Sequence, residues 1–290
     1  MTFREFWQPL TSIYPEDEAR WIGRFVFETR YGLSQADLLM GREEHIDGEE
    51  LRLLQQRLLA GVPVQYVIGK TQFYGRCFYV EPCVLIPRPE TEELCRHILA
   101  RTPYTWHGDI LDIGTGSGCI AVTLAAELQF ASVTAWDISP EALVIAARNA
   151  RCNGVLTGRR IQYRNDVVFQ LRDALNPPGA LARWDIIVSN PPYICEQEKQ
   201  AMERNVLDFE PSLALFVPDD DPLRFYRAIS QYATKALRPG GRLFFEINPL
   251  YARPLSDMLT AQGFADVSIH QDDNGKDRFI VAEHIIAKKE

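Results

Sequence analysis

Apolar and polar positions follow two different rhythms along the chain. Up to about residue 70 the apolar positions recur at helical spacing, as in Ala19, Ile22, Phe25 and Val26, and again in Leu51, Leu54, Leu58 and Leu59. Ser34 and Asp47 suit helix N-caps, and Gly41 and Gly61 suit helix ends. Residues 73–80 read as strand, rich in aromatics and interrupted by Gly75, and 84–86 is a short apolar run. Ile86-Pro87-Arg88-Pro89 then breaks regular structure, because each proline lacks an N–H and fixes φ. A domain boundary is expected near this stiff connector.

Beyond residue 109 the rhythm becomes strand and helix in alternation. Strands are expected at 110–113, 133–136, 161–163, 186–188 and 243–247. Helices are expected at 118–128, with Ile120, Leu124 and Leu128 on one face, after the Ser139-Pro140 cap, at 223–237 and up to Gln262. Pro239-Gly240-Gly241 is read as the stop of the third of these helices. Residues 267–270 and 279–282 form a hairpin around Asn274-Gly275. Such alternation predicts an α/β fold with a mostly parallel sheet covered on both faces and an antiparallel edge at the C-terminal end.

Composition narrows the picture. Of the 290 residues, 46% are hydrophobic and 24% charged, ordinary values for a chain with a packed core. The formal net charge of -8 is the opposite of what a phosphate backbone attracts, so no direct nucleic-acid partner is expected. No run approaches the roughly 18 apolar residues needed to span a bilayer, and residues 1–10 lack the apolar core of a signal peptide. The six cysteines include no C-x-x-C pair and no histidine at zinc-like spacing. They are read as small apolar residues in a reducing, cytoplasmic setting, with no metal.

Candidate chemistry sits at two strand ends. Asp112-Ile113-Gly114-Thr115-Gly116-Ser117-Gly118 joins the first strand to its helix. Glycines there let a ligand touch backbone, and the helix N-terminus behind them favours negative charge. The dinucleotide fingerprint fails, since the third position after Gly116 is Cys119, and no Lys-Ser/Thr follows as a phosphate loop requires. An acidic residue before G-x-G-x-G is the arrangement of S-adenosyl-L-methionine (AdoMet) enzymes; the alternative is a tight turn without ligand. Asp137, ending the second strand, can accept from both ribose hydroxyls, or can simply precede the next helix. Asp166, placed after the third strand, can accept from the adenine amino group, or be a turn aspartate.

Asn190-Pro191-Pro192-Tyr193 follows the fourth strand. The prolines prevent strand or helix from continuing and leave carbonyls without regular partners. The Asn190 side-chain oxygen and the Pro191 carbonyl can accept both N–H groups of a substrate amide. That would hold the nitrogen in place and favour the charge it develops, with Tyr193 packed on the flat group. No strong general base is required. The alternative is a proline turn that closes a strand.

Taken together these residues resemble the HemK/PrmC family, the peptide chain release factor glutamine N5-methyltransferases. The family pattern stands as Pro63-Val64-Gln65-Tyr66-Val67-Ile68-Gly69, Phe73-Tyr74-Gly75, Ile86-Pro87-Arg88-Pro89-Glu90-Thr91-Glu92, the loop from Asp112 to Gly118, Asp137 and Ser189-Asn190-Pro191-Pro192-Tyr193. Phe209-Glu210-Pro211, Leu237-Arg238-Pro239-Gly240-Gly241 and Asp277-Arg278-Phe279 complete it. Asn-Pro-Pro-Tyr is shared with adenine N6-methyltransferases; its combination with the run from Gly69 to Glu92 is specific.

The resemblance implies a class I, Rossmann-like methyltransferase sheet at 89–290, a β-hairpin linker at 71–88 and an N-terminal helical, release-factor-docking domain at 1–70. It implies AdoMet as donor, S-adenosyl-L-homocysteine as product, and the glutamine of the Gly-Gly-Gln motif of class 1 release factors as acceptor. Asp112, Gly114, Thr115, Gly116, Ser117, Gly118, Asp137, Asp166, Val167 and Asn190 would hold the cofactor. Some members carry an aromatic at the position of Val167, and Phe169 is the nearby alternative. Asn190, Pro191, Pro192 and Tyr193 would hold the glutamine and form the catalytic centre. Arg88, Glu90 and Glu210 either contact substrate or are structural, and residues 195–221 form a lid or a surface loop with some helix of its own. A monomer is expected. The rival readings are a ribosomal-protein glutamine methyltransferase, a nucleic-acid adenine or guanine methyltransferase, and a non-enzymatic AdoMet-fold module.

Overall fold

The computed structural model describes residues 1–157, 166–179 and 181–284. Its first helices are α1 (Phe3–Trp7), α2 (Glu16–Tyr31), α3 (Gln35–Leu39), α4 (Gly48–Leu59) and α5 (Val64–Ile68). Their starts are chemically marked. Thr2 and Ser34 form capping boxes with Glu5 and Asp37, and the Asp47 carboxylate accepts from Glu49 N at 2.9 Å. The apolar faces meet in a separate core of Phe6, Leu10, Val26, Phe27, Leu51 and Leu58, with Phe6 edge-on to Phe27.

Strands β1 (Lys70–Phe73) and β2 (Arg76–Tyr79) form a hairpin. Its two-residue turn, Tyr74-Gly75, has φ of 51° and 69°, the positive pair whose twist matches the flanking strands. The interrupted strand expected at 73–80 is therefore the turn and second arm of this hairpin. Residues 84–86 form no strand; they run as a connector into α6 (Pro89–Leu99), where Pro89 occupies the first turn.

The remaining elements are β3 (Asp109–Ile113), α7 (Cys119–Glu127), β4 (Ser132–Asp137), α8 (Pro140–Cys152), β5 (Leu156–Thr157), β6 (Asp166–Leu171) and β7 (Trp184–Ser189). After them come β8 (Ile194–Cys195), α9 (Arg204–Phe209), α10 (Ser212–Leu215), β9 (Phe216–Val217), α11 (Arg224–Ala236), β10 (Leu237–Glu246), α12 (Ala252–Ala261), β11 (Phe264–Gln271) and β12 (Asp277–His284). Among the described residues, one sheet runs β11-β12-β10-β7-β3-β4-β6-β5. Strands β5 to β10 in that order are parallel, and β12 and β11 add the antiparallel edge. Helix α7 is buried nearly all round, as its continuous apolar sequence requires, and lies between β3 and α8.

Three expectations shift. The strand placed at 161–163 lies outside the described residues. The strand that pairs with β4 is β6, which begins at Asp166 and is carried by the run Val167-Val168-Phe169. Helix α11 ends at Ala236 without help from Pro239-Gly240-Gly241, since Leu237 already pairs with Trp184; the three residues form an irregularity inside β10. The stretch 195–221 carries helix, as one of its two readings allowed, and also a short strand pair: β8 pairs with β9, and α9 and α10 lie between them.

Candidate active site

Strands β3 and β7 are neighbours with Ile113 opposite Ser189, and the Ser189 hydroxyl donates to the Ile113 carbonyl at 2.6 Å. The glycine loop and Asn190 therefore leave the sheet side by side. This is where strand order reverses, the usual ligand crevice of an open α/β sheet. On the other side Ile113 faces Trp136, whose carbonyl accepts from Gly114 N and Thr115 N, both at 2.9 Å. Asp137 follows. Its carboxylate accepts from Gly116 N at 2.8 Å and Ser139 N at 2.9 Å, so it ties the loop to the start of α8. Burial pushes the Asp137 carboxyl above its ordinary value, and these amide donors oppose the shift.

A cavity of about 360 Å³ opens between these loops, within the size range of small-molecule sites. Its walls include Gly114 to Ser117, Asp137 and Ile138, residues 173–175, Asn190 to Pro192, Arg88, Thr91, Leu213, Phe216 and Phe225. The three loop glycines do different work. A Cβ on Gly114 or Gly116 would meet nothing within 4 Å, so their backbones lie open to the cavity. A Cβ on Gly118, at φ 81°, would lie 3.0 Å from the Ala146 Cβ, so this glycine lets α7 and α8 close on each other.

The residues present fit AdoMet. Ser117, on the cavity wall, has a buried hydroxyl with no hydrogen-bond partner among the described residues, and so does Asp112 Oδ1 just behind the loop. Open glycine backbone stands at a helix N-terminus, Asp137 offers a carboxylate, and Cys83, Val84, Ile138, Ala142 and Leu175 supply apolar wall for a flat base.

The structure brings Gly114, Thr115, Gly116, Ser117, Asp137, Asn190, Pro191, Pro192 and Arg88 to one cavity. It places other expected residues elsewhere. Asp112 is fully buried and accepts from the Thr115 hydroxyl at 2.6 Å, a support for the loop, and Gly118 is the packing position just described. Asp166 and Val167 are corrected: they begin β6, opposite Ser132 and Val133, at the far end of the strand from the cavity, and Val167 is core. The carboxylate that follows the same strand into the cavity wall is Asp173. Phe169 packs against the core as well.

Tyr193 is not on the cavity wall; its ring packs against the core beneath α11 and α12, and its hydroxyl donates to Glu246 Oε1 at 3.1 Å. Glu210 is buried and accepts from Arg88 at 2.5 Å and from Ile86 N at 3.2 Å, while Glu90 is partly exposed and off the wall. Thr91 and Glu246 were invisible as site residues. The one signal for Ile138, an apolar side chain 51% exposed, was its place directly after the strand-end carboxylate.

Comparison with known proteins agrees with this architecture. The family model described as PrmC N-terminal domain matches residues 8–69, and that described as methyltransferase small domain matches residues 91–208. A release factor glutamine methyltransferase of Bacteroides thetaiotaomicron is 44% identical over 95% of this chain and 96% of its own. One of Flavobacterium psychrophilum is 40% identical over 95% of both chains. The crystal structure of a methyltransferase from Pyrococcus furiosus aligns with a TM-score of 0.50 at 19% identity, over 83% of this chain and all of its own, which carries the α/β methyltransferase fold alone. With a site of this geometry and relatives of this identity over nearly the whole length, the chain belongs to the AdoMet-dependent release factor glutamine methyltransferase family.

Proposed function

We propose that the protein methylates the side-chain amide nitrogen of the glutamine in the Gly-Gly-Gln motif of class 1 release factors. The observation that carries the reading is the pairing of β3 with β7, which sets Asn190 and Pro191 beside the glycine loop in one cavity. The loop from Gly114 to Ser117 and Asp137 hold the cofactor, with the wall around Asp173 to Leu175 taking its base. AdoMet, when bound, supplies an electrophilic methyl group on a sulfonium. Asn190 and the Pro191 carbonyl accept from the two N–H groups of the substrate amide. That orients the nitrogen and stabilises the positive charge it gains, while Phe216 and Phe225 help to exclude water. The N-terminal helices, residues 1–70, serve as the docking unit for the release factor.

The test is direct. The purified protein is incubated with AdoMet and an unmodified release factor, with the large-subunit ribosomal protein as competitor, and peptides are mapped by mass spectrometry. One added methyl group on the Gly-Gly-Gln glutamine, absent with Asn190→Ala, is the expected result. Methylation of the ribosomal protein alone would overturn the substrate assignment.

A further inference from the structure

Beneath the cavity lies a chain of hydrogen bonds that the reaction as described does not use. Glu246 ends β10 and is 1% exposed. Its Oε2 accepts from the Thr91 hydroxyl at 2.7 Å and its Oε1 from the Tyr193 hydroxyl at 3.1 Å. Thr91, in the first turn of α6, is 3% exposed, and its Oγ1 lies 3.2 Å from Asn190 Nδ2. Three elements distant in sequence thus converge on the one side chain that faces the substrate amide.

The direction of each bond follows from counting protons. Burial raises the Glu246 carboxyl, but two hydroxyl donors and the nearby Arg278 favour its charged form; as a carboxylate it only accepts, so Thr91 must spend its single hydroxyl proton on it. The threonine oxygen then has lone pairs alone to offer its other neighbour, and Asn190 must present its NH2 end. A flipped Asn190 would set two acceptor oxygens against each other at hydrogen-bonding distance. The Tyr193 hydroxyl occupies the second carboxylate oxygen.

We propose that Thr91 and Glu246 are positioning residues that fix the polarity of Asn190, so that Oδ1 is left for the cavity as an acceptor of substrate N–H. The inference rests on the proposed function for its consequence, and on the proton count for its geometry. It makes the site selective for a donor: an amide NH2 meets an acceptor, whereas a carboxylate or ester oxygen presented there meets lone pairs. Asn190 alone cannot impose that choice, because an asparagine amide turns about χ2 to suit either kind of ligand.

Two readouts test it on the full-length protein. In side-chain amide 1H–15N spectra, with the Asn190 pair assigned by its loss in Asn190→Ala, Thr91→Val and Thr91→Ala should move the pair and Thr91→Ser should leave it in place. In transfer assays Thr91→Val and Thr91→Ala should lower kcat/KM for the protein substrate by about tenfold to a hundredfold, with AdoMet affinity unchanged. Thr91→Ser, which keeps the hydroxyl, should stay within about threefold of the parent. If Thr91→Val does not fold, Thr91→Ala carries the test, because it removes the same hydroxyl, whereas a glutamine at 246 keeps one acceptor oxygen that can still turn to Thr91. An unmoved Asn190 pair in both folded variants would overturn the proposal, as would equal losses in Thr91→Ser and Thr91→Val. Absence of transfer in the parent protein would instead refute the proposed function, and the spectra would still decide the polarity.

Discussion

Asp112 is a carboxyl enclosed on all sides, 0% exposed, with one oxygen on the Thr115 hydroxyl and the other unpartnered. Burial pushes it up to about 7, against an ordinary value of 3.8, although the Thr115 hydroxyl pulls the other way. The folded state therefore keeps this proton at pH values where the unfolded chain has released it. Its contribution to stability is intact below about pH 4, falls as pH rises, and is fully lost above about pH 7. Asp112→Asn keeps the acceptor for Thr115 and removes the titration. Denaturant unfolding of the variant should show a gain approaching ~4 kcal/mol at pH 8 and none at pH 4. Equal effects at the two pH values would show that burial of charge is not the cause. Glycine loop, Asp137 and Asn190 were legible because each follows an apolar run that must be a strand, and chemistry collects where strands end. Asp166 was misplaced for the same reason turned round: it precedes the apolar run Val167-Val168-Phe169, and Asp173 follows it. Thr91 stood inside the family run without a role of its own and Glu246 gave no signal, because a buried hydrogen bond between residues this far apart leaves no local pattern.

Among the elements, the connector before α6 and the segment that carries α9 and α10 are held by one ion pair. Glu210 accepts from Arg88 Nη2 and from Ile86 N, and its side chain is 1% exposed while that of Arg88 is 34% exposed. The open question of whether these residues bind substrate thus has a structural component: they bind each other, and Arg88 also borders the cavity. Removing the arginine strands a buried carboxylate, whereas removing both charges does not. Arg88→Met should cost about 2 kcal/mol, scaled down because the guanidinium is partly solvated, and Arg88→Met/Glu210→Gln should recover part of that. Thermal unfolding of the single and double variants reads the difference; additive losses would deny the pair its role. The C-terminal hairpin was legible through Asn274-Gly275, whereas Tyr74-Gly75 read as an interruption of one strand, because Tyr is not a usual residue for a turn with positive φ. Short elements in 195–221 and the early start of β10 were not legible, since pairs of two residues or one partner across the sheet carry no periodicity.

Across the whole molecule, the N-terminal helices and the α/β sheet are not joined only through a connector. Tyr66 from α5, Val80, Val84 and Ile86 from the linker, and Ala142 and Ile145 from α8 form one buried cluster, with Phe209 packed against it. The Tyr66 hydroxyl donates to the Val84 carbonyl at 2.6 Å, and Val84 and Ala142 line the cavity. Tyr66→Phe leaves that carbonyl without its donor, at a cost of about 1–2 kcal/mol. It should weaken AdoMet binding although Tyr66 touches no part of the cavity wall. Calorimetric titration, alongside a melt, checks this; unchanged affinity would mean that the cluster supports the fold alone. The prolines at 87 and 89 coincide with a break in backbone pattern ahead of α6, yet pattern along the chain is silent about side chains that meet across the break.

That shared cluster sets a rule for anyone who would exchange the N-terminal helices between family members. A chimaera spliced at residue 70 discards Tyr66 with the donor head and hollows out the floor behind the cofactor wall. A splice made ahead of Pro63 keeps Tyr66 in its cluster but takes Val64, Val67 and Ile68 out of the core of the N-terminal helices, so α5 belongs to both sides of the seam.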